Sequence, residues 1–197
     1  MPDHNTIRVY DDRAADYAEM TDAEDSSHPE LLAFIAACPT GGRVLDLGCG
    51  PGTAAAVMAR AGLQVEATDA SSEMVAMAAR HPGVNAQQAV FDDITGTNIY
   101  DGIWASFCLL HAPRVDFPTH LAALHDALKP GGVFYIGMKL GEGQERDSIG
   151  RFYTYYTSDE LDTYLIVAGF TDLSHSYGTG KGLSGKMADY VAVTAHG

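Results

Sequence analysis

Val44-Leu45-Asp46-Leu47-Gly48-Cys49-Gly50-Pro51-Gly52 decides the fold of this chain. An apolar run ends in an acidic residue, and three glycines then alternate with other residues. Thr53-Ala54-Ala55-Ala56-Val57-Met58-Ala59 follows at once and is helix-compatible. The pattern is strand, tight glycine turn, helix. Glycine allows a sharp turn and lets a ligand lie against bare backbone. The helix N-terminus then offers unpaired N–H groups to a polar or anionic part of that ligand. A nucleotide-like ligand is the expectation. The dinucleotide fingerprint is G-x-G-x-x-G, but Thr53 stands where its third glycine would fall. A pyrophosphate needs that wider loop.

Upstream, residues 1–27 are polar and acidic and carry Tyr10 and Tyr17 two helical turns apart. Residues 28–38 read as an amphipathic helix opened by Pro29-Glu30, with Leu31, Leu32 and Ile35 on one side. The first strand covers 43–47, and the helix from Thr53 stops at Gly62. A second strand over 63–68 closes on Asp69, and Ser71 caps a helix that reaches about Arg80. Strands follow over 84–91, 100–107 and 133–138, with a helix over 116–128 and the turn Lys129-Pro130-Gly131-Gly132 before the fifth strand. Thr157-Ser158-Asp159-Glu160 opens the last helix, which closes at Gly169. Two late strands, 170–177 and 189–195, are joined by a glycine-rich link over 178–185 and should pair antiparallel. Strands alternating with helices predict an α/β, doubly wound, mainly parallel sheet. The simplest organisation is one domain over 28–197, preceded by a lid or flexible segment over 1–27.

The chain has 197 residues, 46% of them apolar, which suits one folded domain and excludes disorder of the whole chain. A net charge of −14 argues against nucleic acid and anionic membrane surfaces as partners. Solubility is the plain reading of that charge. Cys38, Cys49 and Cys108 lie far apart with no C-x-x-C pair, so neither a metal site nor a disulfide framework is expected. Reduced thiols fit a cytoplasmic protein. No signal-like or membrane-spanning apolar run is visible.

In doubly wound sheets, ligands sit at the carboxyl ends of the strands. The first strand supplies Gly48, Cys49, Gly50 and Gly52 there. The second supplies Asp69, placed for both ribose hydroxyls, with a helix-capping or turn aspartate as the alternative. Met74 can pack on an adenine or belong to the core. Phe91-Asp92-Asp93-Ile94 ends the third strand; either carboxylate can accept from an exocyclic adenine amine, and Phe91 can flank the ring. Ser106 and Phe107 end the fourth strand, near the far half of the ligand.

The glycine loop after an acidic residue resembles motif I of the class I S-adenosylmethionine-dependent methyltransferases. The resemblance extends through Asp69, the acidic turn at Asp92-Asp93, Tyr100-Asp101-Gly102-Ile103-Trp104-Ala105, Leu128-Lys129-Pro130-Gly131-Gly132 and Ala168-Gly169-Phe170. It implies a seven-stranded Rossmann-like sheet of order 3-2-1-4-5-7-6 with strand 7 antiparallel. It also implies S-adenosylmethionine as cofactor, contacted by Asp46, the loop glycines, Cys49, Asp69 and Ala70. The short segment between Ile94 and Tyr100 departs from the pattern, so the helix usual there is shortened or missing. In similar enzymes the N-terminal segment covers the site, and Tyr17 or Arg13 reaches the methionine carboxylate.

On the acceptor side, His111 follows the fourth strand and is the candidate general base, or else a loop-shaping histidine. Residues 139–156 resemble the acceptor-side loop of small bacterial methyltransferases, some of them related to tellurite-resistance proteins. Lys139, Arg146 and Arg151 stand out there, and with Arg114 they suggest a basic pocket for a small anionic acceptor. The alternative is that they pair with Glu142, Glu145 and Asp147. Tyr153, Tyr155 and Tyr156 line that pocket or pack beneath it. The expected protein is a methyltransferase of a small molecule, acting as monomer or homodimer. Its rivals are a non-catalytic binder of the same cofactor and an NAD(P)-dependent oxidoreductase.

Overall fold

Val44, Leu45 and Leu47 are almost fully buried in strand β1 (Arg43–Leu47). In this computed structural model, which describes residues 2–21 and 28–197, β1 lies inside a seven-stranded sheet. Its parallel neighbours are β2 (Gln64–Asp69) and β4 (Tyr100–Ser106). Beyond them lie β3 (Val84–Gln88) on one side and β5 (Leu128–Lys139) on the other. A two-stranded sheet that the sequence did not announce, β6 (Gln144–Arg146) with β7 (Phe152–Thr154), follows β5. The expected sixth and seventh strands are therefore β8 (Thr171–Lys181) and β9 (Met187–His196). The order β3-β2-β1-β4-β5-β9-β8, with β9 antiparallel to both neighbours, is the order that the resemblance implies. The winding reverses between β1 and β4, which makes that point the natural crevice.

Successive side chains on a strand face opposite ways. Leu45, Ile103, Phe134 and Ile136 point to one face, under α6 (Phe117–Ala127) and α7 (Ser158–Ala168). Val44, Trp104, Val133 and Tyr135 point to the other, under α3 (Pro29–Ala37) and α4 (Thr53–Arg60). Trp104 stacks on Tyr135 with centroids 3.7 Å apart. Ser71 caps α5 (Ser72–Ala78) as expected, accepting from the Met74 amide, and Thr157 with Glu160 forms the capping box of α7.

Several expected boundaries are corrected. The third strand stops at Gln88, and Phe91–Asp93 is a 3₁₀ turn, because Asp93 accepts from the Val90 amide and curls the chain. The segment between Ile94 and Tyr100, by contrast, is as expected, with no helix in it. The assigned start of β5 is Leu128, which pairs with Tyr100, but register resumes only at Gly102 and Val133, so residues 129–132 still loop out. Half of the glycine-rich link is strand: Gly178 and Gly180 lie in β8 opposite Tyr190 and Ala188, and the turn is left to 182–186. A side chain at Gly178 would overlap the Tyr190 ring, so glycine is there for space.

At the N-terminus, α1 (His4–Asp12) and α2 (Ala14–Thr21) break at Arg13. Asp3 caps α1 by accepting from the Thr6 amide at 2.8 Å. Of the expected lid or flexible segment, Met1 and residues 22–27 lie outside the described residues.

Candidate functional site

The chain turns sharply where β1 ends. Gly48 has φ +64°, and a Cβ there would run into that of Cys108. The Cys49 amide donates to Thr68 O at 2.9 Å, and the Gly50 amide donates to Asp69 Oδ2 at 2.9 Å. The loop is thus pinned to the end of β2. Asp69 Oδ1 accepts from the Ser71 amide at 2.9 Å. Burial pushes the Asp69 carboxyl pKa up, against the pull of the two amides.

Two cavities open at this edge of the sheet. The first, of about 110 Å³, runs past Gly48, Gly50, Asp69, Ala70 and Met74 to Phe91 and Asp92. Ser106, Phe107 and His111 close its far end. The two adjacent acids are now distinguished: Asp92 lines this cavity, while Asp93 is spent on the Val90 amide. Met74 is both core and wall, 1% exposed yet lining the cavity. The chemistry of this lining fits a nucleoside: a carboxylate at the end of β2 for a diol, a second one beyond β3 for an amine, and Met74, Val90 and Phe91 as apolar walls. Gly52 lines neither cavity. It stands before α4 at φ +85°, and a Cβ there would come 2.7 Å from Ala78 Cα, so it serves close packing of α4 on α5.

Helix α1 lies across the first cavity through Thr6, Ile7 and Tyr10. One end is held to α5, where Asp11 Oδ1 accepts from Ser71 Oγ at 2.6 Å and from the Glu73 amide at 3.3 Å. The other is held to the β6–β7 hairpin. Asn5 Nδ2 donates to Gly150 O at 2.6 Å, and the Phe152 amide donates to Thr6 Oγ1 at 2.8 Å. Asp3 pairs with Arg146 at 2.6 Å, and that guanidinium holds the Asp3 carboxyl well below the usual carboxylate range.

Tyr10 and His111 meet beneath α1. His111 Nδ1 lies 2.6 Å from Phe152 O, a carbonyl that only accepts, so Nδ1 carries the proton. Nε2 therefore accepts from Tyr10 Oη at 2.9 Å, and Tyr10 Oη accepts from Arg151 Nη1 at 2.8 Å. Burial holds the His111 pKa down to about 3, against the Phe152 carbonyl. In this arrangement His111 is neutral and both its nitrogens are engaged.

The second cavity, of about 570 Å³, adjoins the first along Tyr10, Tyr17, Gly48, Gly50, Ser106 and Phe107. Asp46 and Cys49 line its glycine side. Trp104, Tyr153 and Tyr190 add aromatic walls, and Lys139, Arg151 and Lys181 add cations. Phe107 sits at φ +53°, rare for so large a residue, its amide donating to Gly137 O at 3.0 Å and its ring edge-on to Tyr190. Such conformations concentrate at working sites.

The four expected basic residues do not converge. Arg151, with its side chain 2% exposed, is clamped on Asp147 through Nε at 3.0 Å and Nη2 at 2.8 Å. Arg146 faces Asp3. Arg114 pairs with Glu160 and lies over the Tyr156 ring. Arg114 and Arg146 line neither cavity, while Lys139, Arg151 and Tyr153 do. Arg13 pairs with Asp16 and lines neither cavity. Tyr155 stacks on Tyr153, and Tyr156 is buried beneath the segment. The sequence reading missed Thr6, Trp104, Lys181 and Tyr190 as lining residues. Tyr190 had a usable signal, since a strand antiparallel to the fifth brings it beside Lys139.

The sequence model of the family described as "Methyltransferase domain" matches residues 23–175. The chain belongs to this family. A ubiquinone biosynthesis O-methyltransferase of Xanthomonas axonopodis pv. citri is 34% identical over 118 residues, 55% of this chain and 48% of the relative. The chain thus spans about half the length of the curated relatives it matches first. Among solved structures, the Burkholderia thailandensis 1,6-didemethyltoxoflavin-N1-methyltransferase superposes with a TM-score of 0.79 at 24% identity, covering 98% of this chain and 87% of that one. The [4+2]-cyclase SpnF shares the fold with a TM-score of 0.66 at 20% identity, over 85% of this chain and 79% of its own. S-adenosylmethionine is the cofactor of the methyltransferase-domain family to which the chain belongs, and the nucleoside-shaped lining of the first cavity suits it. Among the described residues no helix is long and apolar enough to cross a membrane.

Proposed function

We propose that this chain methylates a small molecule, with the donor's adenosine in the first cavity and the acceptor in the second. The observation that carries the reading is the contact between the two cavities along Gly48, Gly50, Ser106, Phe107, Tyr10 and Tyr17. In-line displacement requires two aligned reactants in a dry site, and adjoining cavities provide this alignment. S-adenosylmethionine, when bound, supplies an electrophilic methyl group. In this reading Asp69 takes the ribose hydroxyls, Asp92 the adenine amine, and Met74 and Phe91 the faces of the ring. Asp46, Cys49, Tyr17, Gly48 and Gly50 border the methionine half. Helix α1 is the lid, His111 positions Tyr10 within it, and 28–197 is the catalytic domain. Three free, buried cysteines support a reducing, cytoplasmic setting, and monomer or homodimer is the proposed assembly.

Calorimetry with S-adenosylhomocysteine, followed by turnover of a panel of small acids, amines and thiols, tests the reading. Tight cofactor binding without turnover of any acceptor would assign the chain to binding alone. Tight NADH binding with no S-adenosylmethionine binding would overturn the assignment altogether.

A further inference from the structure

The wall of the second cavity carries an ammonium group that the described residues leave unmatched. Lys139 ends β5 with its Nζ 4.3 Å from the centroid of the Tyr153 ring. The arginines of this region each have a carboxylate: Arg151 has Asp147, Arg114 has Glu160 and Arg146 has Asp3. Among the described residues Lys139 has none, nor has Lys181, which lines the same cavity from the β8–β9 hairpin. In a chain with 26 acidic residues against 12 basic ones, carboxylates are in surplus. A partly buried charge without a counterion is costly. Burial, and then Arg151, accordingly push the Lys139 pKa down. An anion entering the cavity removes this penalty, and Trp104, Phe107, Tyr153 and Tyr190 favour a flat, unsaturated body for it.

We propose that the acceptor is a planar aromatic or heteroaromatic acid taken up as its conjugate base, with the Lys139 ammonium on the ionised oxygen or nitrogen. This rests on the methyltransferase reading above. The acceptor gives its proton to solvent on binding, so no base is needed during transfer, in keeping with a His111 whose nitrogens are both engaged. The new bond joins the acceptor oxygen or nitrogen to the methyl carbon, the sulfur–carbon bond breaks with its electron pair left on sulfur, and the opposite charges of acceptor and sulfonium cancel. The groups bearing on Lys139 are Arg151, Asp147, Lys186, Lys181, Tyr153 and Tyr10. Burial pushes both tyrosine pKa values up, so neither competes as an anion.

The test uses the full chain saturated with S-adenosylhomocysteine and two chromophoric probes, 4-nitrophenol and 4-nitrocatechol, whose anions absorb in the visible. At a pH about one unit below the free probe's pKa, bound probe should appear as its anion. Lys139→Met should abolish this visible signature and weaken probe binding about ten-fold or more, leaving S-adenosylhomocysteine affinity unchanged. Lys139→Arg should restore the signature. Binding of both probes in neutral form, binding of neither, or an unaltered signature in Lys139→Met would overturn the proposal. So would a loss of S-adenosylhomocysteine affinity in Lys139→Met, which would assign the lysine to the cofactor carboxylate. Failure of the unmodified chain to bind S-adenosylhomocysteine would instead strike the methyltransferase reading itself.

Discussion

Asp69 accepts two backbone N–H groups, from Gly50 and Ser71, and still faces the first cavity. Its carboxylate therefore shapes the glycine loop as well as facing the space proposed for the donor's ribose. Asp69→Ala should weaken S-adenosylhomocysteine binding by about 1–3 kcal/mol in calorimetry, the scale of hydrogen bonds to a charged group. Unchanged affinity would remove Asp69 from the ribose role. Gly48 is constrained differently, by a left-handed φ and by Cys108. Gly48→Ala should destabilise the fold by about 1–3 kcal/mol, read as a lower Tm. Cys108→Ala in the same chain should not rescue it, because the Cβ that blocks the space remains. Residues like these were legible because each belongs to a short motif at a strand end, Gly48 in the glycine loop after β1 and Asp69 at the close of β2. Asp92 and Asp93 were not distinguishable, since the turn that separates them is set by a bond from Asp93 back to Val90. Nor did the sequence show the partner of Arg146, because Asp3 lies 143 positions away.

Helix α1 shows what the chain order conceals at the scale of elements. Its polar, acidic sequence reads as a tail, yet five of its side chains or capping groups bridge α5 and the β6–β7 hairpin: Asp3, Asn5, Thr6, Tyr10 and Asp11. The alternation of strands and helices, by contrast, was readable, because apolar patterns and glycine stops are local, while the sheet order was implied by the family resemblance. Docking of α1 should depend on pH through His111. An exposed histidine titrates near 6.5, whereas the docked one is held to about 3. The docked state thus binds fewer protons, so docking is complete above 6.5 and is lost progressively as pH falls toward 3. At pH 5.5 the cost of docking is about 1.3 kcal/mol greater than at neutral pH. Hydrogen exchange of the α1 amides should therefore quicken at pH 5.5, and His111→Asn should flatten that dependence. Tyr10→Phe leaves Arg151 Nη1 and His111 Nε2 without their shared oxygen. It should loosen α1 by about 1–3 kcal/mol, with faster exchange across α1 than elsewhere; uniform exchange would deny Tyr10 this place.

The whole molecule carries a net charge of −14, yet the wall of its larger cavity has three cations and one carboxylate, Asp46. The long-range field would repel the proposed anionic acceptor, and the cavity cations would attract it at short range. Salt screens the first effect more than the second, because exposed charges a Debye length away are screened while partly buried ones are not. kcat/KM for an anionic acceptor should therefore rise between low and physiological ionic strength; a fall would mean that steering is attractive. The bridge made by α1 has a consequence for the kinetics. If α1 acts as the proposed lid, with Tyr10 lining both cavities, the two binding events are coupled in time. On the proposed reading the donor should bind first and the acceptor after it. The demethylated donor should then leave last, which product-inhibition patterns would show; random release would deny this coupling.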